Sequence, residues 1–139
     1  GEFGHICVEP GGRPCSCGKR GCLEAYCTTR RIQKDLGVSL ETFFAGVETG
    51  VPEYIALWDD MLRHLAIGVN NIRMVLDCDV ILGGILSEFL PPYMSRLKDY
   101  VDQGNPFAPK DCLHLSALRK HTVALGAALG FIVDFLENL

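Results

Sequence analysis

Glu2-Phe3-Gly4-His5 and Cys15-Ser16-Cys17-Gly18-Lys19-Arg20-Gly21-Cys22-Leu23-Glu24 are the stretches on which the reading of this chain turns. The one His and three Cys of these stretches span eighteen residues, in a loop that also holds Gly11, Gly12, Pro14, Gly18 and Gly21. Zinc takes four nitrogen and sulfur ligands in a tetrahedron, and closely spaced ligand pairs on turns are how a short chain wraps one ion. Glycine supplies the positive φ angles such a knuckle needs. Buried cysteine is ordinarily a small hydrophobe, so three of them beside Gly and Lys in a polar loop are out of place as packing. A metal site outweighs a chance gathering of thiols and imidazole.

Outward from that loop, 139 residues with 48% hydrophobic and 22% charged side chains make an ordinary soluble domain with room for a core. The net charge of -4 offers no global attraction for nucleic acid or an anionic membrane. Seven cysteines could suggest a disulfide scaffold, but the count is odd and the spacing clustered. Metal fits better, and the expected compartment is reducing and cytoplasmic. No signal peptide is visible, and the uncharged apolar run from Val123 to Val133 is too short to cross a bilayer. The chain opens without Met directly on the motif, so the expectation is the C-terminal part of something longer.

Leu23 to Leu36 reads as one helix ended by Gly37. Ser39 caps a second, which closes at Gly50. From Pro52, the residues Trp58, Met61, Leu62, Leu65, Val69, Ile72 and Leu76 recur at helical steps and predict the longest helix. Gly68 within it marks close packing or a ligand's approach; His64 and Asn70-Asn71 read as its solvated face. Asp77 to Gly84 predicts a parallel strand covered on both faces, running into a glycine turn. A helix begins at Pro91-Pro92 and runs to Gly104, Cys112 to Ser116 forms a second strand, and a last helix spans about 122–136. The fold class is α/β, with its sheet left incomplete. Cys7 and Cys27 flank the knuckle and could compete as ligands, although burial is the simpler role.

Taken together, these segments resemble the ROK family, named for repressors, open reading frames and sugar kinases. The resemblance rests on Gly1-Glu2-Phe3-Gly4-His5, Cys15-x-Cys17-Gly18-x-x-Gly21-Cys22-Leu23-Glu24, Val80-Ile81-Leu82-Gly83-Gly84 and Gly126-Ala127-Ala128, and so covers nearly the whole chain. It implies the ribonuclease H-like fold of actin and the sugar kinases, with 1–139 as a C-terminal sugar-binding part: a zinc knuckle over 5–22 and an α/β region over 23–139. By the same resemblance His5, Cys15, Cys17 and Cys22 match zinc ligands, and Glu2, His5 and Glu24 match residues that contact sugar hydroxyls. Gly83 and Gly84 match the turn that lies against the adenosine of ATP. A rigid knuckle that fixes two carboxylates is a sensible hydroxyl acceptor.

The family's kinases carry their phosphate-binding Asp-x-Gly-x-Thr loop and catalytic Asp in the N-terminal half, and neither motif is matched here. No catalytic residue is assigned, and this stretch alone is expected to be inactive. Two readings follow from the resemblance. The first is the sugar-sensing part of a transcriptional regulator, a homo-oligomer whose DNA contact would come through an N-terminal domain outside this chain. Glu2-Phe3-Gly4-His5 and Asp77-Cys78-Asp79 lean that way. The second is part of a sugar kinase using ATP and magnesium, which Gly83-Gly84 favours. A third, blander reading keeps the knuckle as structure only.

Overall fold

The computed structural model describes residues 2–105 and 111–117. Along them run α1 (Leu23–Tyr26), α2 (Thr29–Leu36), α3 (Leu40–Thr49), α4 (Pro52–Leu76), β1 (Val80–Leu82), α5 (Met94–Gly104) and β2 (Leu113–Leu115). The expected last helix, with Gly126-Ala127-Ala128, lies outside the described residues.

Pro52 opens α4, where its missing N–H costs nothing and its fixed φ suits the first turn. The apolar stripe of α4 then does what its spacing predicts. Trp58, Met61, Leu62, Ala66 and Val69 are buried in one cluster with Ile32, Phe43, Phe44, Leu97, Val101 and Leu113. Phe44 stacks on Phe89 with ring centres 4.1 Å apart, and Trp58 meets Tyr93 edge-on at 5.4 Å. Ser39 caps α3 by accepting a hydrogen bond from the Thr42 amide, and Gly50 ends that helix in the left-handed region.

Three expectations need correction. The single helix over Leu23–Leu36 is two, because Thr28 takes an extended conformation and its hydroxyl accepts from the Arg30 amide. A local Thr cap here wins over continuation of the preceding turn. Second, β1 and β2 do pair in parallel, Val80 opposite Leu113 and Leu82 opposite Leu115. Yet only one face is covered by described residues: Ile81 is 68% exposed. Third, His64 and Asn70 do not lie on a solvated face. Both are buried, and the Asn70 amide donates to the Val101 carbonyl at 3.0 Å, tying α4 to α5. Among the described residues no helix is long and apolar enough to cross a membrane.

A second tie between those helices centres on Asp59. Its carboxylate accepts from the Tyr100 hydroxyl, from Arg63 Nε at 2.9 Å, and pairs with Arg96 Nη2 at 2.6 Å. Burial alone would raise this carboxyl, but the hydrogen bonds and the Arg96 charge outweigh it and hold the group below its ordinary 3.8. A depressed carboxylate contributes stability that is fully present above pH 3.8 and lost as pH falls through the lower folded value. Asp59→Asn is therefore expected to lower the urea midpoint at pH 7 and to flatten the loss of stability below pH 3.8. Identical pH dependence in variant and parent would count against the network.

Candidate metal centre and the carboxylates beside it

The knuckle is built by backbone hydrogen bonds. Val8 N–H reaches the Gly21 carbonyl at 2.8 Å, Gly21 N–H the Arg13 carbonyl at 2.8 Å, and Cys15 N–H the Lys19 carbonyl at 2.8 Å. These fold 15–22 back onto Cys7 and Val8, with Cys7 facing Cys22 as an antiparallel bridge. Gly21 sits at φ 83°, and a Cβ there would run into the Glu9 carbonyl. Only glycine lets the chain turn at that point and bring Cys22 inward.

Four side chains meet inside the turn. The ligand atoms of His5, Cys15, Cys17 and Cys22 all lie within 4.8 Å of one another. Cys15 Sγ is 3.6 Å from His5 Nδ1, and Cys17 Sγ is 3.7 Å from Cys22 Sγ. Zinc–sulfur and zinc–nitrogen bond lengths set tetrahedron edges of about 3.8 Å between sulfurs and about 3.6 Å between sulfur and nitrogen. The residues fit a zinc ion. The Cys17 backbone N–H and its neighbours draw the Cys15 thiol down to about 6. Burial first, and then the sharing of hydrogen bonds with Cys17 and Cys15, push Cys22 up to about 12. Crowded thiols cannot all ionise unaided, and a divalent cation is what would let them. Cys7 and Cys27 stand outside the cluster. Cys7 is exposed rather than buried, and Cys27 donates to the Met61 carbonyl at 3.4 Å.

His5 has two sides. Nδ1 faces the thiols and lies 3.6 Å from Glu24 Oε2; Nε2 lies 3.5 Å from Glu2 Oε2. Glu24 stands in the first turn of α1, and Glu2 just before the 3-10 turn Phe3–His5. Two carboxylates thus converge on one imidazole ring. Glu2 and Glu24 keep 85% and 41% of their side-chain surface open, so their oxygens remain free to accept from a polyhydroxylated ligand. Gly83 and Gly84 fall elsewhere, after β1, where their neighbours are Ser116 and Ser87. Gly84 has φ 83° and nothing within 4 Å of where a Cβ would stand, so its backbone can be approached closely.

One face of α4 seats the whole assembly, which periodicity alone did not reveal. Met61 receives Cys27, and His64 stacks on Tyr26 with centres 3.9 Å apart. Gly68 lies under Leu23, whose Cδ2 would be 2.7 Å from an added Cβ, and Asn71 donates to the Cys7 carbonyl at 3.4 Å. Gly68 is therefore a packing glycine. The alternation of His64, Gly68 and Asn71 at helical steps was the available signal.

This chain, an α/β protein with a Cys/His cluster flanked by carboxylates, belongs to the ROK family, whose model matches residues 1–132. It is similar to an N-acetylmannosamine kinase of Citrobacter koseri, 29% identical over an alignment of 135 residues that covers 93% of this chain and 46% of that protein. Its fold matches the ROK hexokinase of Thermus thermophilus with a TM-score of 0.86 at 28% identity, covering 99% of this chain and 49% of that one. A ROK transcriptional regulator, a homologue of the Escherichia coli MLC protein, matches with a TM-score of 0.69 at 21% identity over 83% of this chain and 33% of its own, and shares the fold. The chain spans about half the length of the curated relatives it matches.

Proposed function

We propose that residues 1–139 form the sugar-binding part of an ATP-dependent ROK sugar kinase acting on a hexose or amino sugar in the cytoplasm. The observation that supports sugar binding is the two-sided placement of His5, with the Cys15 thiol at Nδ1 and a carboxylate beside each ring nitrogen. Zinc held by His5, Cys15, Cys17 and Cys22 would supply rigidity, orienting the imidazole while Glu2, His5 and Glu24 take the sugar hydroxyls. The open backbone at Gly83 and Gly84 suits the adenosine of ATP, whose phosphates and magnesium would be met by residues beyond this chain. Similarity to a kinase of an amino sugar at 29% identity supports a kinase over a regulator.

The second reading, a sugar-sensing regulator, keeps the same sugar and zinc residues and adds a homo-oligomer with DNA contact through a separate N-terminal domain. Asp77-Cys78-Asp79 and the shared fold with the MLC homologue favour it. A coupled assay of the intact protein with ATP, magnesium and a panel including glucose and N-acetylmannosamine separates the two. Sugar-dependent ADP release is the expected result. Calorimetric sugar binding with no turnover, and DNA binding relieved by that sugar, would replace the kinase with the regulator.

A further inference from the structure

Beside the knuckle, on the side of α2, is a cavity of about 140 Å³ lined by Arg13, Arg30, Arg31 and Lys34 together with the Ser16 and Thr28 hydroxyls. Glu24 is the one carboxylate on its wall. In a chain of net charge -4 this is a local concentration of cations. Two of them are fixed in place. Arg31, buried to 8% exposure, pairs with Asp60 at 2.6 Å and with Asp35 at 3.5 Å, and Asp35 also binds Arg13 at 2.6 Å. One carboxylate is thus shared between two guanidinium groups. Arg30 and Lys34, one turn apart on α2, have no carboxylate partner among the described residues. Ordered guanidinium groups, free cations and hydroxyl donors in one concavity are what a tetrahedral oxyanion requires.

We propose that this cavity binds a phosphate group, either free or carried by a small molecule, on Arg30, Lys34 and Arg13 with the Ser16 and Thr28 hydroxyls. Glu24 is common to this wall and to the proposed sugar site. A phosphate attached to a sugar would therefore run from one site into the other. That extension rests on the sugar reading; the affinity of the cavity for phosphate does not.

The test is calorimetric titration of the intact protein with inorganic phosphate at fixed ionic strength, beside Arg30→Gln with Lys34→Gln and the charge-preserving Arg30→Lys with Lys34→Arg. The expected result is saturable binding of one phosphate per chain, weakened at least about tenfold in the Gln pair by the loss of two charged contacts. The charge-preserving pair should retain it, and the affinity for neutral hexose should be unchanged in both. Phosphate held anywhere else in the protein would be insensitive to these two side chains. No saturable binding up to about 20 mM, or equal affinity in the Gln pair, overturns the proposal. Titration with hexose 1-phosphate and hexose 6-phosphate separates the sources. Binding tighter than that of both inorganic phosphate and neutral hexose, and reduced by Glu24→Gln, assigns a sugar-borne phosphate. Equal binding of the esters and inorganic phosphate assigns a free-phosphate site, and would stand even if the sugar reading failed.

Discussion

Cys22→Ser is expected to strip the metal from the knuckle and to lower zinc affinity by at least about a hundredfold, since a thiolate is exchanged for an alcohol that does not ionise. Of the proposed ligands, Cys22 is the one for which substitution should cost most. It is 1% exposed, its sulfur sits 3.7 Å from that of Cys17, and the Cys7–Cys22 bridge closes the base of the loop. Burial pushes the Cys22 thiol up, and a cation sharing its charge would favour the thiolate. Loss of the ion should therefore leave two thiols, a hydroxyl and an imidazole crowded together and loosen the turn. Elemental analysis should find about one zinc per parent chain and a large deficit in the variant, with competition against a chelator giving the affinity ratio. Stoichiometric zinc held with parental affinity by Cys22→Ser would remove zinc from the account.

Glu24→Gln is expected to weaken sugar binding by about ten- to a hundredfold while leaving the thermal midpoint close to that of the parent. The exchange keeps the shape and removes the charge, so one carboxylate acceptor becomes a neutral amide beside His5 Nδ1. Glu24 keeps 41% of its side chain open, and Gln conserves its volume. Calorimetry of the intact protein against each sugar that binds the parent is the measurement. Unchanged affinity for all of them would exclude Glu24 from the sugar site, whereas a collapsed thermal midpoint would make its role structural.

The gathering of His5, Cys15, Cys17 and Cys22 was legible because ligand spacing in a short loop is local information. The same holds for α3 and α4, whose caps at Ser39 and Pro52 and whose periodic apolar residues are written into neighbouring positions. The break at Cys27-Thr28 was missed because a Thr cap competes with helix propensity over a single residue. Burial of His64 and Asn70 was missed for another reason. A polar side chain on a helix reads as solvated until a partner from far along the chain appears, here Tyr26 for one and the Val101 carbonyl for the other. The cationic cavity is of this kind too. Arg13 comes from the knuckle and Lys34 from α2, and only the fold makes them neighbours.

Met61, His64 and Gly68 hold α1 and its cap against α4, and Asn71 holds Cys7 of the knuckle, four points over a length of roughly 15 Å. A body pinned so many times along one rigid rod has no joint of its own. Whatever closure accompanies a ligand's arrival, the knuckle and α4 are expected to travel together as one jaw, and the pivot falls outside residues 7–71.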